Sequence, residues 1–160
     1  MDRFTKGISR LAVKKSKFKV SFVPDFMIVY TNHPFSFKLV IQRGSQSPIE
    51  TRVQRCERSL KSSDLKTVRF IPKEEITLDT TFFSSDGVPE TKTVIISVVK
   101  VLPGNKDETV ASATIDLRNH FGDEFNVDSV EFEQAKGSKG IICKKLRYSA
   151  SISFMKPTDI

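Results

Sequence analysis

Lys92-Thr93-Val94-Ile95-Ile96-Ser97-Val98-Val99-Lys100-Val101-Leu102 and Val110-Ala111-Ser112-Ala113-Thr114-Ile115-Asp116-Leu117, parted by the turn Pro103-Gly104-Asn105, decide the fold class. The first segment is dense in β-branched residues and apolar on both beats of a period of two, which predicts a central strand. The second is a shorter strand that returns alongside it. Upstream, Phe18, Val20 and Phe22 alternate with Lys17, Lys19 and Ser21, until Pro24-Asp25 is expected to break the run; Phe26 to Tyr30 then resumes it. After the turn Asn32-His33-Pro34, Phe35, Phe37, Leu39 and Ile41 alternate with Ser36, Lys38, Val40 and Gln42, and Arg43-Gly44-Ser45 ends that strand.

The remaining segments follow the same period. Thr51 to Cys56 is a candidate strand, Val68 and Phe70 lie on one face, and Ile76, Leu78, Thr80 and Phe82 on another. Ser84-Ser85-Asp86-Gly87 is a turn signal, Asn119 to Gly122 suits one helical turn, and Val127–Phe132 and Lys145–Phe154 complete the series. A parallel α/β fold needs helical crossovers of about ten residues or more, and none stands between these strands. The expected fold is therefore all-β, an eight-stranded antiparallel sandwich with a short N-terminal helix. Its expected divisions are a basic amphipathic segment over 1–16, the sandwich over 17–155 and the start of a linker over 156–160.

Length and composition agree with one domain: 160 residues, 38% hydrophobic and 28% charged. No run approaches the ~18–20 apolar residues of a membrane span. MDRFTKGISR has neither an apolar signal-peptide centre nor the second-position Gly that myristoylation needs. Two cysteines are too few for a disulfide framework or a four-cysteine zinc site, so a reducing compartment, the cytoplasm, is expected. The net charge of +7 is unevenly placed. Residues 1–73 hold 16 Lys/Arg against 5 Asp/Glu, a balance of +11, and residues 74–160 hold 10 against 14, a balance of −4. Such a half seeks polyanions or merely keeps the domain soluble.

Two groups of residues carry candidate binding chemistry. Phe4, Ile8 and Leu11, at helical spacing among Lys6, Arg10, Lys14 and Lys15, form a short basic amphipathic segment from Arg3 to Lys17. It either adsorbs to an anionic membrane or packs on its own domain. The second group is the basic stretch Lys38, Arg43, Arg52, Arg55, Arg58 and Lys66. If Thr51 to Arg58 is one strand, Arg52 and Arg58 share a face and Arg55 points the other way.

The order of segments resembles C2 domains. The resemblance rests on Ser16-Lys17-Phe18-Lys19-Val20, Ile41-Gln42-Arg43-Gly44, Lys66-Thr67-Val68-Arg69-Phe70, Glu75-Ile76-Thr77-Leu78 and the two stretches quoted at the outset. The basic lead and the strand ending in Arg-Gly resemble the N-terminal C2 family, which opens EH-domain-binding proteins, oestrogen-induced early-gene proteins and plant plastid-movement proteins. The likeness spans about residues 4–155. It departs from the pattern at Ile41 or Gln42, where many members carry Trp, and at Ser112, where many C2 domains have Gly.

The resemblance implies a membrane- or protein-docking module, with anionic phospholipid headgroups (phosphoinositides), a cytoskeletal assembly or another protein as partners. Many C2 domains hold Ca²⁺ with an Asp-x-Asp after the central strand. Here that position reads Val99-Lys100-Val101-Leu102-Pro103, leaving only Asp25, Asp107 and Glu108 as scattered loop acids. Ca²⁺ needs six to eight oxygens, so neither it nor any other cofactor is expected. The second mode of such domains, a basic sheet face for phosphoinositides, implicates the six Lys/Arg residues.

Catalysis is not expected. His33 and His120 have no motif partner, and no phosphate loop, His-Glu-x-x-His or nucleophile elbow occurs. Cys56, beside Arg55 and Arg58, invites a thiolate reading, but ordinary packing is the simpler account of both thiols. Nucleic-acid modules interleave surface aromatics with basic residues, whereas these Phe residues fall mostly on the inward beat. Phe26, Phe35, Phe83, Phe121 and Phe125 are the exceptions.

Overall fold

The computed structural model describes residues 14–31, 33–44, 46–58, 65–70, 74–85, 88–89, 92–104, 106–120, 122–136 and 140–154. Phe4, Lys6, Ile8, Arg10 and Leu11 of the expected N-terminal helix lie outside them. Its last four residues, Lys14 to Lys17, are strand rather than helix, the start of β1 (Lys14–Thr31). Pairing explains the correction: Lys14 to Phe22 run antiparallel to Ser84 back to Ile76. A ladder that satisfies every backbone group outweighs a weak local helix signal.

The chain continues through β2 (Ser36–Gln42), β3 (Ile49–Glu50), β4 (Gln54–Arg55), β5 (Glu57–Arg58), β6 (Leu65–Arg69) and β7 (Ile76–Ser85). Then follow β8 (Val88–Pro89), β9 (Thr93–Val101), β10 (Glu108–Asp116), β11 (Gly122–Glu131), β12 (Glu133–Gln134) and β13 (Ile141–Phe154). Thirteen segments thus replace the expected eight among the described residues, because five of them are two-residue pieces at sheet margins. The expected helical turn is a 3₁₀ turn two residues earlier, Leu117–His120.

All pairings are antiparallel and form two sheets. One runs β11-β13-β1-β6-β5, with β7 also on β1 and β8 on β7; the other runs β12-β10-β9-β2-β3, with β4 also on β2. β9 is central as its composition predicts, but only one of its faces is covered throughout. Val94, Ile96 and Val98 are buried, whereas Ile95 is 46% exposed.

β1 is the spine of the first sheet. One edge pairs with β13 from Phe18↔Phe154 to Thr31↔Ile141; the other is shared between β7 and β6. Pro24-Asp25 does not break it, contrary to expectation. Pro24 lies opposite Tyr148 and Phe26 opposite Arg147, so Asp25 is an extra, bulged residue, a position where a missing N–H is tolerated. The bulge reverses the phase: Val20 and Phe22 point inward before it, Met27 and Val29 after it. A matching shift on β13 skips Lys144, and its inward set changes from Ile141 and Cys143 to Leu146, Tyr148, Ala150 and Ile152. The Asp25 carbonyl accepts from Phe70 N at 3.0 Å, and its carboxylate meets Arg147 Nε at 3.5 Å.

The core between the sheets takes Phe22, Phe37, Phe70 and Phe132 on the inward beat, with Phe18 and Phe35 partly buried against it. Cys56 and Cys143 are free, buried thiols whose pKa values desolvation pushes up to about 12, so neither is a thiolate at neutral pH.

Thr51 to Arg58 is not one strand. Thr51 Oγ1 accepts from Leu39 N at 2.9 Å, a side chain standing where a ladder carbonyl would be, while Thr51 N donates to Leu39 O at 2.9 Å. Beyond it β4 pairs with β2 and β5 with β6, so the chain changes sheets at buried Cys56, whose N–H donates to Phe35 O at 2.8 Å. Arg52 and Arg58 therefore do not share a strand face.

The bulge makes a test of adjacent residues. Met27→Ala should cost about 2–5 kcal/mol in urea unfolding, and Ile28→Ala, on the outer face, clearly less. Equal losses would contradict the register.

Candidate functional site

At the end of the sandwich marked by Phe35 and Asp107, the acids are matched by cations. Lys38 Nζ lies 2.8 Å from Asp107 Oδ2 and 3.0 Å from Glu50 Oε1, with its side chain only 15% exposed. The hydrogen bond to Asp107, then that to Glu50, raises the Lys38 pKa and keeps it protonated. Glu108 Oε2 lies 3.8 Å from Lys100 Nζ, which stands 4.6 Å from the Phe35 ring centroid. Asp25, the third loop acid, faces Arg147. Among the described residues no three His, Cys, Asp or Glu side chains come together as a metal site.

The six basic residues do not form one face. Lys38 is neutralised by its two carboxylates. Arg43, five residues further along the chain and thus ~17 Å away along an extended backbone, bonds through Nη2 to the Gln46 carboxamide. It lines a groove of about 560 Å³ with Gln42, Gly44, Gln46, Lys92, Thr93 and Ile95. Lys66 is buried beside Cys56, where its charge lowers the thiol pKa against the larger effect of burial. Arg52, Arg55 and Arg58 are exposed along the segment that crosses between the sheets. The Arg52 backbone N–H donates to Glu74 Oε2 at 3.0 Å. Among the described residues no carboxylate lies within ion-pair distance of these three guanidinium groups.

A second surface was not expected from the sequence. Beyond the bulge, Phe26, Ile28 and Tyr30 stand on the outer face of the first sheet, in register with Arg69, Thr67 and Leu65 of β6. Across β13, Phe26 faces Arg147 and Ile28 faces Lys145. The Arg69 and Arg147 guanidinium carbons lie 5.4 and 5.7 Å from the Phe26 ring centroid, and Lys144 Nζ lies 5.5 Å from that of Tyr30. Phe26 was the visible signal, as an aromatic off the inward beat, but its basic neighbours come from distant segments.

The buried histidine belongs to a small polar network. His120 Nε2 lies 2.9 Å from the Tyr148 hydroxyl, and both residues are 2% exposed. Burial, and then the nearby Asp128, raise the Tyr148 pKa, and Asp128 Oδ2 is 4.0 Å from His120 Nε2. His120 Nδ1 is buried without a partner. A bare acceptor is cheaper to bury there than an orphan N–H, so the network assigns the proton to Nε2, donating to the Tyr148 hydroxyl. Burial lowers the His120 pKa from 6.5, against the opposing pull of Asp128 and Asp116.

Below about pH 6.5 the unfolded chain thus binds the proton more readily than the folded one. Stability is full above that value and lost as pH falls through it toward the folded pKa. Urea midpoints from about pH 7.5 to about 5.5 should fall for the native chain and fall less for His120→Gln. An identical slope in both would show that His120 is not responsible.

These two sheets, wrapped around one core, define a C2-type sandwich, and solved structures agree. A C2 domain of plant extended synaptotagmin 1 superposes with a TM-score of 0.60, over 86% of this chain and 95% of that one, at 13% identity. At that identity the likeness establishes the fold: this chain has a C2 fold. No protein-family model and no curated protein matches the sequence.

Proposed function

We propose that this chain is a non-catalytic, Ca²⁺-independent C2 module of the N-terminal C2 type, acting in the cytoplasm to dock a larger protein or a cytoskeletal assembly onto anionic membranes. The observation that carries the reading is the exposed row Arg52, Arg55 and Arg58, whose charges face no carboxylate within ion-pair distance among the described residues. Guanidinium groups suit bidentate contact with phosphate headgroups. Independence from Ca²⁺ is supported by the loop end, where a fixed ammonium already occupies Asp107 and Glu50. The segment holding Phe4, Lys6, Ile8, Arg10 and Leu11 would add a second attachment, which matters because single weak anchors bind only marginally.

The other reading is a protein-binding scaffold that does not touch lipid. The aromatic and basic outer face of the first sheet favours it as an activity of a separate surface.

Liposome co-sedimentation separates the readings. Vesicles containing phosphoinositide or phosphatidylserine should bind the chain equally in EDTA and in Ca²⁺, and less at higher salt. Each basic residue near such a surface contributes ~1 kcal/mol, so Arg52→Glu, Arg55→Glu and Arg58→Glu together should weaken binding by roughly 100-fold with an unchanged melting temperature. No binding to any anionic vesicle at low salt would overturn the lipid reading. A requirement for Ca²⁺ would overturn the loop argument instead.

A further inference from the structure

We propose that the outer face of the sheet formed by β6, β1, β13 and β11 is a docking site for an acidic protein segment carrying aliphatic or aromatic anchors. This surface is distinct from the Arg52–Arg58 row, which borders it only through β5, and implies a different class of partner.

Its floor and walls are set by register. Arg69, Phe26, Arg147 and Ser129 form one row across four strands, and Thr67, Ile28, Lys145 and Glu131 form the next. A groove of about 480 Å³ follows, with Lys145 and Arg147 on its floor, Phe26 and Ile28 on one side and Val127 and Ser129 on the other. Tyr30, Ile142 and Val127, at 41%, 45% and 64% exposure, extend the apolar surface; they are three of the five most exposed large hydrophobic residues described. Their clustering on one sheet face marks a contact surface rather than scatter.

Charge chooses the occupant. Among the described residues Arg69, Lys144 and Lys145 have no carboxylate within ion-pair distance, and Arg147 has only Asp25, at 3.5 Å. Two guanidinium groups lie over one Phe ring, at 5.4 and 5.7 Å from its centroid, and their N–H forks suit carboxylates. The same face argues against a membrane. Phe26, Ile28 and Val127 sit mid-strand within a groove rather than at a protruding tip, and Tyr30 and Ile142 are paired strand residues near the ends of β1 and β13. Asp128 lines that groove, and Glu131 and Glu57 flank it in register with Lys145 and Thr67. A flat anionic bilayer would press against those acids, whereas a narrow segment can lie along the β13 cations between them.

The test uses the full chain and a display library of random peptides of about twelve residues, which reach ~40 Å when extended and so span the face. Selection should enrich peptides combining Asp or Glu with Leu, Phe or Trp. Those peptides should bind Lys145→Glu/Arg147→Glu at least ten-fold more weakly than the native chain. Val127→Glu, at the most exposed apolar position, should weaken them too without disturbing the core, while the Arg52/Arg55/Arg58 triple reversal should not. Failure to enrich any peptide, enrichment of basic or uncharged ones, or undiminished binding to both groove variants would overturn the proposal. So would a loss of anionic-vesicle binding in Lys145→Glu/Arg147→Glu with peptide binding intact, which would make this a membrane face.

Discussion

The single extra residue at Asp25 is the constraint on which both faces of the first sheet depend. Side chains alternate with a period of two, so one inserted residue exchanges the inward and outward sets for the rest of the strand. Without it, Phe26, Ile28 and Tyr30 would enter the core and Met27 and Val29 would face water. A second, separate bulge at Lys144 exchanges the faces of β13 further along, and inward residues meet on both sides of each bulge, as Phe22↔Ala150, Met27↔Leu146 and Val29↔Cys143. Asp25 also ties the bulge outward and sideways, through its carbonyl to Phe70 and its carboxylate to Arg147. Core packing and the aromatic-basic surface thus have a common origin.

Charge on this domain is organised by pairing more than by number. The first 73 residues carry a large excess of Lys and Arg, yet two of the six central ones do not reach solvent as free charges. Lys38 is clasped by Glu50 and Asp107, and Lys66 lies in the interior beside Cys56. Of the outward charges, Arg52, Arg55 and Arg58 lie along the edge segment, and Arg69, Lys144, Lys145 and Arg147 on the outer face of the first sheet. Three of that face's four, Lys144, Lys145 and Arg147, lie in β13, in the half of the chain whose balance is negative. A half-by-half sum of charge cannot reveal such a surface.

The same contrast marks what could be read in advance. The β9 and β10 strands, the inward run Phe37-Leu39-Ile41 and the two-sheet architecture follow from local period and composition, and those features survive folding because each strand's own residues dictate them. Bulges, by contrast, are defined by a partner strand: nothing near Asp25 says that Pro24 will face Tyr148. The interruption at Thr51 likewise depends on Leu39, and the neutralisation of Lys38 on a carboxylate in a remote loop. The row Arg52, Arg55 and Arg58 was visible as composition, but its geometry was not, since the chain changes sheets in its middle.

The proposed function has this C2 fold dock without metal through the segment that crosses between its sheets. Hydrogen exchange of the full chain with anionic vesicles, in EDTA and again in Ca²⁺, tests that claim most directly. Protection confined to residues 49–58 and to the N-terminal segment, the same in both conditions, is the predicted result. Protection centred on residues 102–107, or appearing only with Ca²⁺, would contradict it.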